Sequence, residues 1–305
     1  MAVLIDEETV AEFVTRWLKD FPRPKPSTNS HNRRMVRPLV AAFGDYKLSE
    51  VNRRMTRVWA LEHHGNVPVA RALWNDAIDD EATEGKNPFA GLRLPRSKGR
   101  SGLVVPSEGE IRALADAALP LFGAYGKTVR ATVLFAAYVG CRPGEMFALE
   151  WADLDFVAGE VRISKTIGPK GTVTLPKNGH ERTVVLPEQA KDALWSDRGF
   201  GPYSDESGER PPTGRYVFET KQGKRFVRTS HFHYWSRVRE AAGRPQMQFY
   251  ELRHFAATNM LERGLSPGDV AIQLGHTDGG ALVQSTYGHP SDVAARARVR
   301  EAMAR

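Results

Sequence analysis

Residues 128–139 limit the fold of this chain more than any other stretch. They read Thr-Val-Arg-Ala-Thr-Val-Leu-Phe-Ala-Ala-Tyr-Val and stop at Gly140. A helix that is apolar on nearly every side cannot lie on a surface. Other elements have to wrap it at the middle of a core. It is also too short to cross a bilayer, which takes about 20 apolar residues, and no other apolar run approaches that length.

The residues around it supply the wrapping. Ser107 and Glu110 form a capping box for a helix carrying Ile111, Leu114, Ala115 and Ala118. Beyond Gly140, Pro143 opens a short helix, which places Arg142 at a helix N-terminus where backbone N–H groups already favour an anion. A buried arginine paired to Glu145 is the structural alternative for that position. Residues 154–157, 160–166 and 182–186 alternate and are rich in Val and Ile, as strands of a small antiparallel sheet would be. Lys177 lies on a turn-rich hairpin tip over 175–180, and 197–215 reads as a loop.

Toward the C-terminus, Ser230 caps a helix running to Gly243. Its His231-x-His233 pair has no carboxylate or cysteine at ligand spacing, which argues against a metal site. Residues 249–263 form a helix with Leu252, Phe255, Ala256 and Met260 buried. Tyr250 and Arg253 lie three apart on one face of it. Ser266 caps a helix ending at Leu274-Gly275, which leaves His276 just past it. A short run over 281–286 then carries Tyr287, and Ser291 caps a final helix to Arg305.

The first hundred residues are different in kind. Apolar stripes predict four helices, over 7–20, over 29–43, from Ser49 and from Pro68. Residues 1–96 thus form a small all-α domain. A basic, Gly- and Ser-containing linker over 97–103 separates it from a second domain over 104–305. Arg33, Arg34, Arg37, Arg53, Arg54 and Arg57 on those helices are either solvated faces or a grip on a DNA backbone. The formal charge of +7, from 43 Lys and Arg against 36 Asp and Glu, leans toward a polyanionic partner. The single cysteine, Cys141, excludes an intramolecular disulfide and suits a reducing compartment. The acidic N-terminus does not fit a signal peptide, so a soluble, cytoplasmic protein is expected.

In order along the chain, Gly140-Cys141-Arg142-Pro143-Gly144-Glu145, the hairpin Lys177, Leu252-Arg253-His254, Leu274-Gly275-His276 and Tyr287 resemble the tyrosine recombinase, or phage integrase, family. The resemblance covers nearly the whole chain. It implies a mainly α (α+β) protein, with an all-helical core-binding domain and a multihelical catalytic domain holding a small antiparallel sheet. It implies Tyr287 as the nucleophile that leaves a 3′-phosphotyrosine, with Arg142 and Arg253 on the non-bridging oxygens. Lys177 would be the general acid, His276 a phosphate donor and Glu145 a supporting residue. No cofactor is implied. The partner would be double-stranded DNA bound by a homotetramer, with a directionality factor or host DNA-bending protein possible. The family usually has histidine three residues before its second arginine, where this chain has Tyr250. That leaves the acceptor of the Tyr287 proton open among water, another group and Tyr250 as an orienter. Many relatives also place an arm-site DNA-binding domain ahead of the core-binding helices; this chain is expected to be a minimal form or a shortened one. Integration or excision of a mobile element is the leading expectation. Xer-like dimer resolution, a type IB topoisomerase and an inactive DNA-binding relative are the alternatives.

Overall fold

The computed structural model describes residues 8–94, 105–168, 171–176, 179–197 and 215–287, with isolated positions between 296 and 304. The chain divides into two compact units, Met1–Leu103 and Val104–Arg305.

The first unit is helical: α1 Val10–Asp20, α2 Pro26–Met35, α3 Arg37–Phe43, α4 Arg53–Glu62 and α5 Val67–Asp79. Thr9 and Glu12 form a capping box at the start of α1. The stripe predicted as one helix over 29–43 is two, broken at Val36. Pro38, the second residue of α3, has no N–H and its ring would clash with the carbonyl four residues back. The expected start at Ser49 is also displaced. Ser49 lies in a single 3-10 turn, and Asn52 caps α4 by accepting from the N–H groups of Arg54 and Met55. Phe13, Trp17, Leu73, Trp74 and Phe89 fill the core, and the Trp17 indole donates to Asp76 at 2.6 Å.

The second unit continues with α6 Glu108–Asp116, α7 Ala118–Phe122, α8 Gly126–Val139 and α9 Pro143–Met146. Five short strands follow: β1 Leu154–Asp155, β2 Glu160–Ile163, β3 Thr166–Ile167, β4 Val173–Thr174 and β5 Arg182–Val185. The remaining helices are α10 Glu188–Asp197, α11 Arg228–Ala241, α12 Glu251–Glu262, α13 Pro267–Leu274 and α14 Ala281–Tyr287. As its composition requires, α8 is the hub, packed by α6, α7, α10 and α12. Its residues from Ala131 to Val139 are all buried. The antiparallel sheet runs β1-β2-β5, with Val161 opposite Val184 and Ile163 opposite Arg182 on its buried face. A separate hairpin pairs β3 with β4, splitting the strand expected over 160–166.

Gly140 ends α8 at φ +73°, a left-handed conformation that glycine adopts without strain. A Cβ there would sit 2.8 Å from both Ala256 Cβ and Leu274 Cδ2, so this turn is where α8, α12 and α13 meet closely.

Candidate active site

Three helix boundaries and one strand converge on the end of α13. Gly275 closes that helix at φ +72°, and the carbonyls of Leu274 and Gly275 are left without intrahelical partners. Guanidinium groups satisfy them. Arg253 Nη2 donates to Leu274 O at 2.9 Å, Arg182 Nη2 to the same oxygen at 3.3 Å, and Arg142 Nη2 to Gly275 O at 3.2 Å. Cations belong at the negative end of a helix dipole, and three are gathered here.

Glu145 is the counter-charge. It is 1% exposed. Arg182 donates to both of its oxygens, at 3.2 and 2.7 Å, and Arg142 donates from its guanidinium at 2.9 Å and its backbone N–H at 3.0 Å. Burial acts to raise this carboxyl. The bonds and charge of Arg182, then those of Arg142, outweigh it and hold the group below the usual carboxylate range. Arg142 therefore meets both expectations for it: it is paired to Glu145, and it stands as N-cap of α9.

Arg253 is 2% exposed and also donates to Gly140 O at 2.8 Å. Its Nη2 lies 2.9 Å from His276 Nε2. A guanidinium can only donate, so Nε2 accepts and the ring proton sits on Nδ1. That Nδ1 is buried and has no hydrogen-bond partner among the described residues. Burial first, then the charges of Arg253 and Arg142, keep the imidazole below its usual range and hence neutral. The cluster thus offers arginine charge and an unmatched N–H donor, which together suit an anion.

Beside it lies the phenol. Tyr287, the last residue of α14, packs on a small apolar group of Ala257, Val270, Ala271, Leu274 and Val283. Its hydroxyl meets His254 Nδ1. Burial, with a smaller contribution from Tyr250, pushes the phenol up to about 12. Tyr250 caps α12 and is 43% exposed. Its ring stands edge-on to His254 at 5.2 Å between centroids, with Arg253 Cζ 6.0 Å from its own centroid. The other nucleophilic side chain nearby, Cys141, is pushed up to about 12 by burial and then by Glu145, so it stays a thiol.

The cluster thus sets three arginines and a histidine beside a tyrosine hydroxyl. The family model for the phage integrase family matches residues 107–293. This chain belongs to the phage integrase family. Among family relatives, it is 26% identical over 235 residues to a XerC-like tyrosine recombinase of Caldanaerobacter subterraneus subsp. tengcongensis, covering 68% of this chain and 57% of that protein. It is 24% identical over 311 residues to the putative prophage phiRv2 integrase of Mycobacterium tuberculosis, covering 95% and 76%. The fold is similar to that of the Tn1549 transposon integrase in complex with circular intermediate DNA, with a TM-score of 0.75 at 16% identity over 96% and 99% of the two chains. It is also similar to lambda integrase in a tetramer bound to a Holliday junction, with a TM-score of 0.69 at 15% identity over 92% and 78%. The mainly helical fold with small antiparallel sheets is thus that of the phage integrase family.

Of the residues singled out in the sequence, Arg142, Glu145, Arg253, His276, Tyr287 and Tyr250 come together in this chain. Lys177 lies outside the described residues, as does most of the helix expected after Ser291. Arg33, Arg34, Arg37, Arg54 and Arg57 are exposed. Arg53 is exposed as well and in addition donates to the carbonyls of Ala90 and Gly91, at 2.6 and 3.0 Å, tying α4 to the chain beyond α5. His231 is buried against Phe147, Phe226 and Phe249. Sequence reasoning missed two participants. Arg182 carried a signal, because it falls on the buried face of an alternating strand with Val184 and Leu186. His254 stood inside the motif beside Arg253, but only the fold brings α14 against it.

Proposed function

We propose that this chain is a site-specific DNA recombinase that integrates or excises a mobile element through a covalent 3′-phosphotyrosine intermediate. The observation that carries this reading is the convergence of Arg142, Arg253 and the unmatched His276 donor beside the Tyr287 hydroxyl. Tyr287 Oη attacks a scissile phosphorus, and the P–O5′ bond breaks. Arg142 and Arg253 stabilise the non-bridging oxygens as charge gathers on them, where preorganised donors act most strongly. His276 Nδ1–H joins them. Lys177 protonates the departing O5′. Rejoining reverses each bond change with a 5′-hydroxyl from a second strand. Each step exchanges one phosphate ester for another, so the chemistry runs without an energy-yielding cofactor.

The unit before residue 104 would be the core-binding domain, residues 1–96, followed by the basic linker 97–103. Its Arg33, Arg34, Arg37, Arg54 and Arg57 would neutralise backbone phosphates without reading sequence. Arg53 is set apart by its carbonyl bonds. The prophage integrase relative spans more of this chain than the XerC-like one, which favours integration over dimer resolution. The lambda integrase tetramer on a Holliday junction supports a homotetramer on double-stranded DNA here. A directionality factor or DNA-bending protein would assist. No described helix is long and apolar enough to cross a membrane. The reading places the protein in the cytoplasm of a bacterial host.

The test is a nicked suicide duplex carrying a candidate attachment site that the protein binds in a gel shift. Wild type should trap a covalent adduct on a denaturing gel, and Tyr287→Phe should give none. Bound duplex with no wild-type adduct would replace this reading with a DNA-binding one.

A further inference from the structure

We infer that His254 accepts the proton of Tyr287 Oη as that oxygen attacks phosphorus, and returns it when the strand is rejoined. The inference rests on the reading of Tyr287 as nucleophile and adds the group that reading lacks. Position 250, where the family usually has a histidine, is a phenol here. His254 lies four residues on, one turn along α12 and on the same face. The imidazole is displaced by a turn, and α14 brings the nucleophile to it: His254 Nδ1 meets the Tyr287 hydroxyl.

The groups facing His254 decide whether it can act. Tyr250 and Glu251 stand before it in the chain, Arg253 beside it, and Tyr287 reaches it from α14. Burial is the strongest influence and, with the Arg253 charge, lowers the imidazole below its usual range, while Glu251 opposes them. The ring is neutral near pH 7 and free to take a proton. With the phenol donating to Nδ1, the ring proton resides on Nε2.

Tyr287 does not ionise ahead of the reaction, because its phenol is pushed up to about 12. The transfer therefore runs with the attack. As Oη bonds to phosphorus its O–H becomes strongly acidic, and a base already in contact collects the proton. In cleavage, Oη–P forms, P–O5′ breaks, the Oη proton passes to His254 Nδ1 and a Lys177 proton passes to O5′. In rejoining, a 5′-hydroxyl bonds to phosphorus and yields its proton to Lys177, P–Oη breaks and the imidazolium returns its proton to the phenolate. Arg253 accepts no proton, and Tyr250 is a second phenol rather than an imidazole.

The experiment follows adduct formation on the suicide duplex in single turnover, from about pH 5 to pH 8.5, around the histidine range. The proteins are wild type, His254→Asn, His254→Ala and Tyr287→Phe, each checked for unchanged melting and DNA binding; His254→Gln replaces any variant that fails those checks. The wild-type rate should rise as His254 loses its proton and then level off. His254→Asn keeps an acceptor near Nδ1 but cannot carry a proton. It should be about 10²- to 10⁴-fold slower and lose part of the low-pH limb. His276 is retained in every variant, so the difference belongs to His254. Imidazole added to His254→Ala should restore rate. A duplex with sulfur at the bridging 5′ position, which leaves without protonation, should rescue Lys177→Ala and leave His254→Asn slow. A His254→Asn rate within about threefold of wild type, with Tyr287→Phe inactive, sinks the inference and leaves the nucleophile standing. A slow variant with an unchanged pH limb and no imidazole rescue also overturns it. An adduct that survives Tyr287→Phe removes both readings.

Discussion

Arg182→Met tests how the Glu145 carboxylate is held. Methionine keeps the stem's length and removes the two bonds to Glu145 and the one to Leu274 O. Removing one partner of a buried ion pair costs about 3–5 kcal/mol, because the other charge is left unmatched. Glu145 at 1% exposure fits that case, but Arg142 still donates twice to it. The loss should thus be about 2–3 kcal/mol, or roughly 4–12 °C in the melting of a unit this size. The pH dependence adds a second check. Glu145 is held below its ordinary pKa, so its contribution is present above about pH 4.5 and lost as pH falls through the lowered folded value. With Arg182 gone the carboxyl rises, and the gap between wild type and variant should narrow on acidification. Thermal melts followed by tryptophan fluorescence at about pH 7 and about pH 3 measure both. Adding Glu145→Gln should recover part of the loss, since the stranded charge is then gone. A cost below about 1 kcal/mol, equal at both pH values, would refute the view that Arg182 neutralises a buried carboxylate.

Gly275→Ala should cost about 1–2 kcal/mol from its left-handed backbone alone. Its Cβ would also come 2.4 Å from Arg182 Cζ, so adduct yield should fall together with melting temperature. His231, pushed down to about 3 by burial, is folded as a neutral ring; the unfolded chain binds its proton more readily. Stability should be complete above about pH 6.5 and fall below it by up to ~1.4 kcal/mol per pH unit, and acid titration of His231→Phe should show a gentler decline. Tyr250→Phe should leave single-turnover cleavage within about threefold of wild type, because its contact with His254 is one of ring against ring, which phenylalanine keeps; a loss as deep as that of Tyr287→Phe would return Tyr250 to the proton path.

Much of this architecture was legible before any coordinates. The all-apolar helix demanded a central place, the Ser107 and Ser266 boxes marked helix starts, and Gly140 and Gly275 marked helix ends. Arg142, Arg253, His276 and Tyr287 sit at such boundaries, so local signals located them. What stayed hidden was long-range. The buried, charged face of β5 depends on which strand pairs with β2, and the His254–Tyr287 contact depends on how α14 folds back onto α12. In the first unit the periodicity continued through Pro38 although the backbone could not, because a hydrophobic stripe records which residues are buried and not whether each has an N–H to give.

The end of α13 has a consequence for how such a site tolerates change. The guanidinium groups of Arg142, Arg182 and Arg253 are all measured from two consecutive carbonyl oxygens. Their mutual spacing is therefore inherited from one peptide unit and needs no separate adjustment by the loops that carry them. Substitutions on the outer side of α13, such as at the 70% exposed Ile272, leave that common origin in place. The eight residues of α13 thus end in a single reference point that all three arginines share.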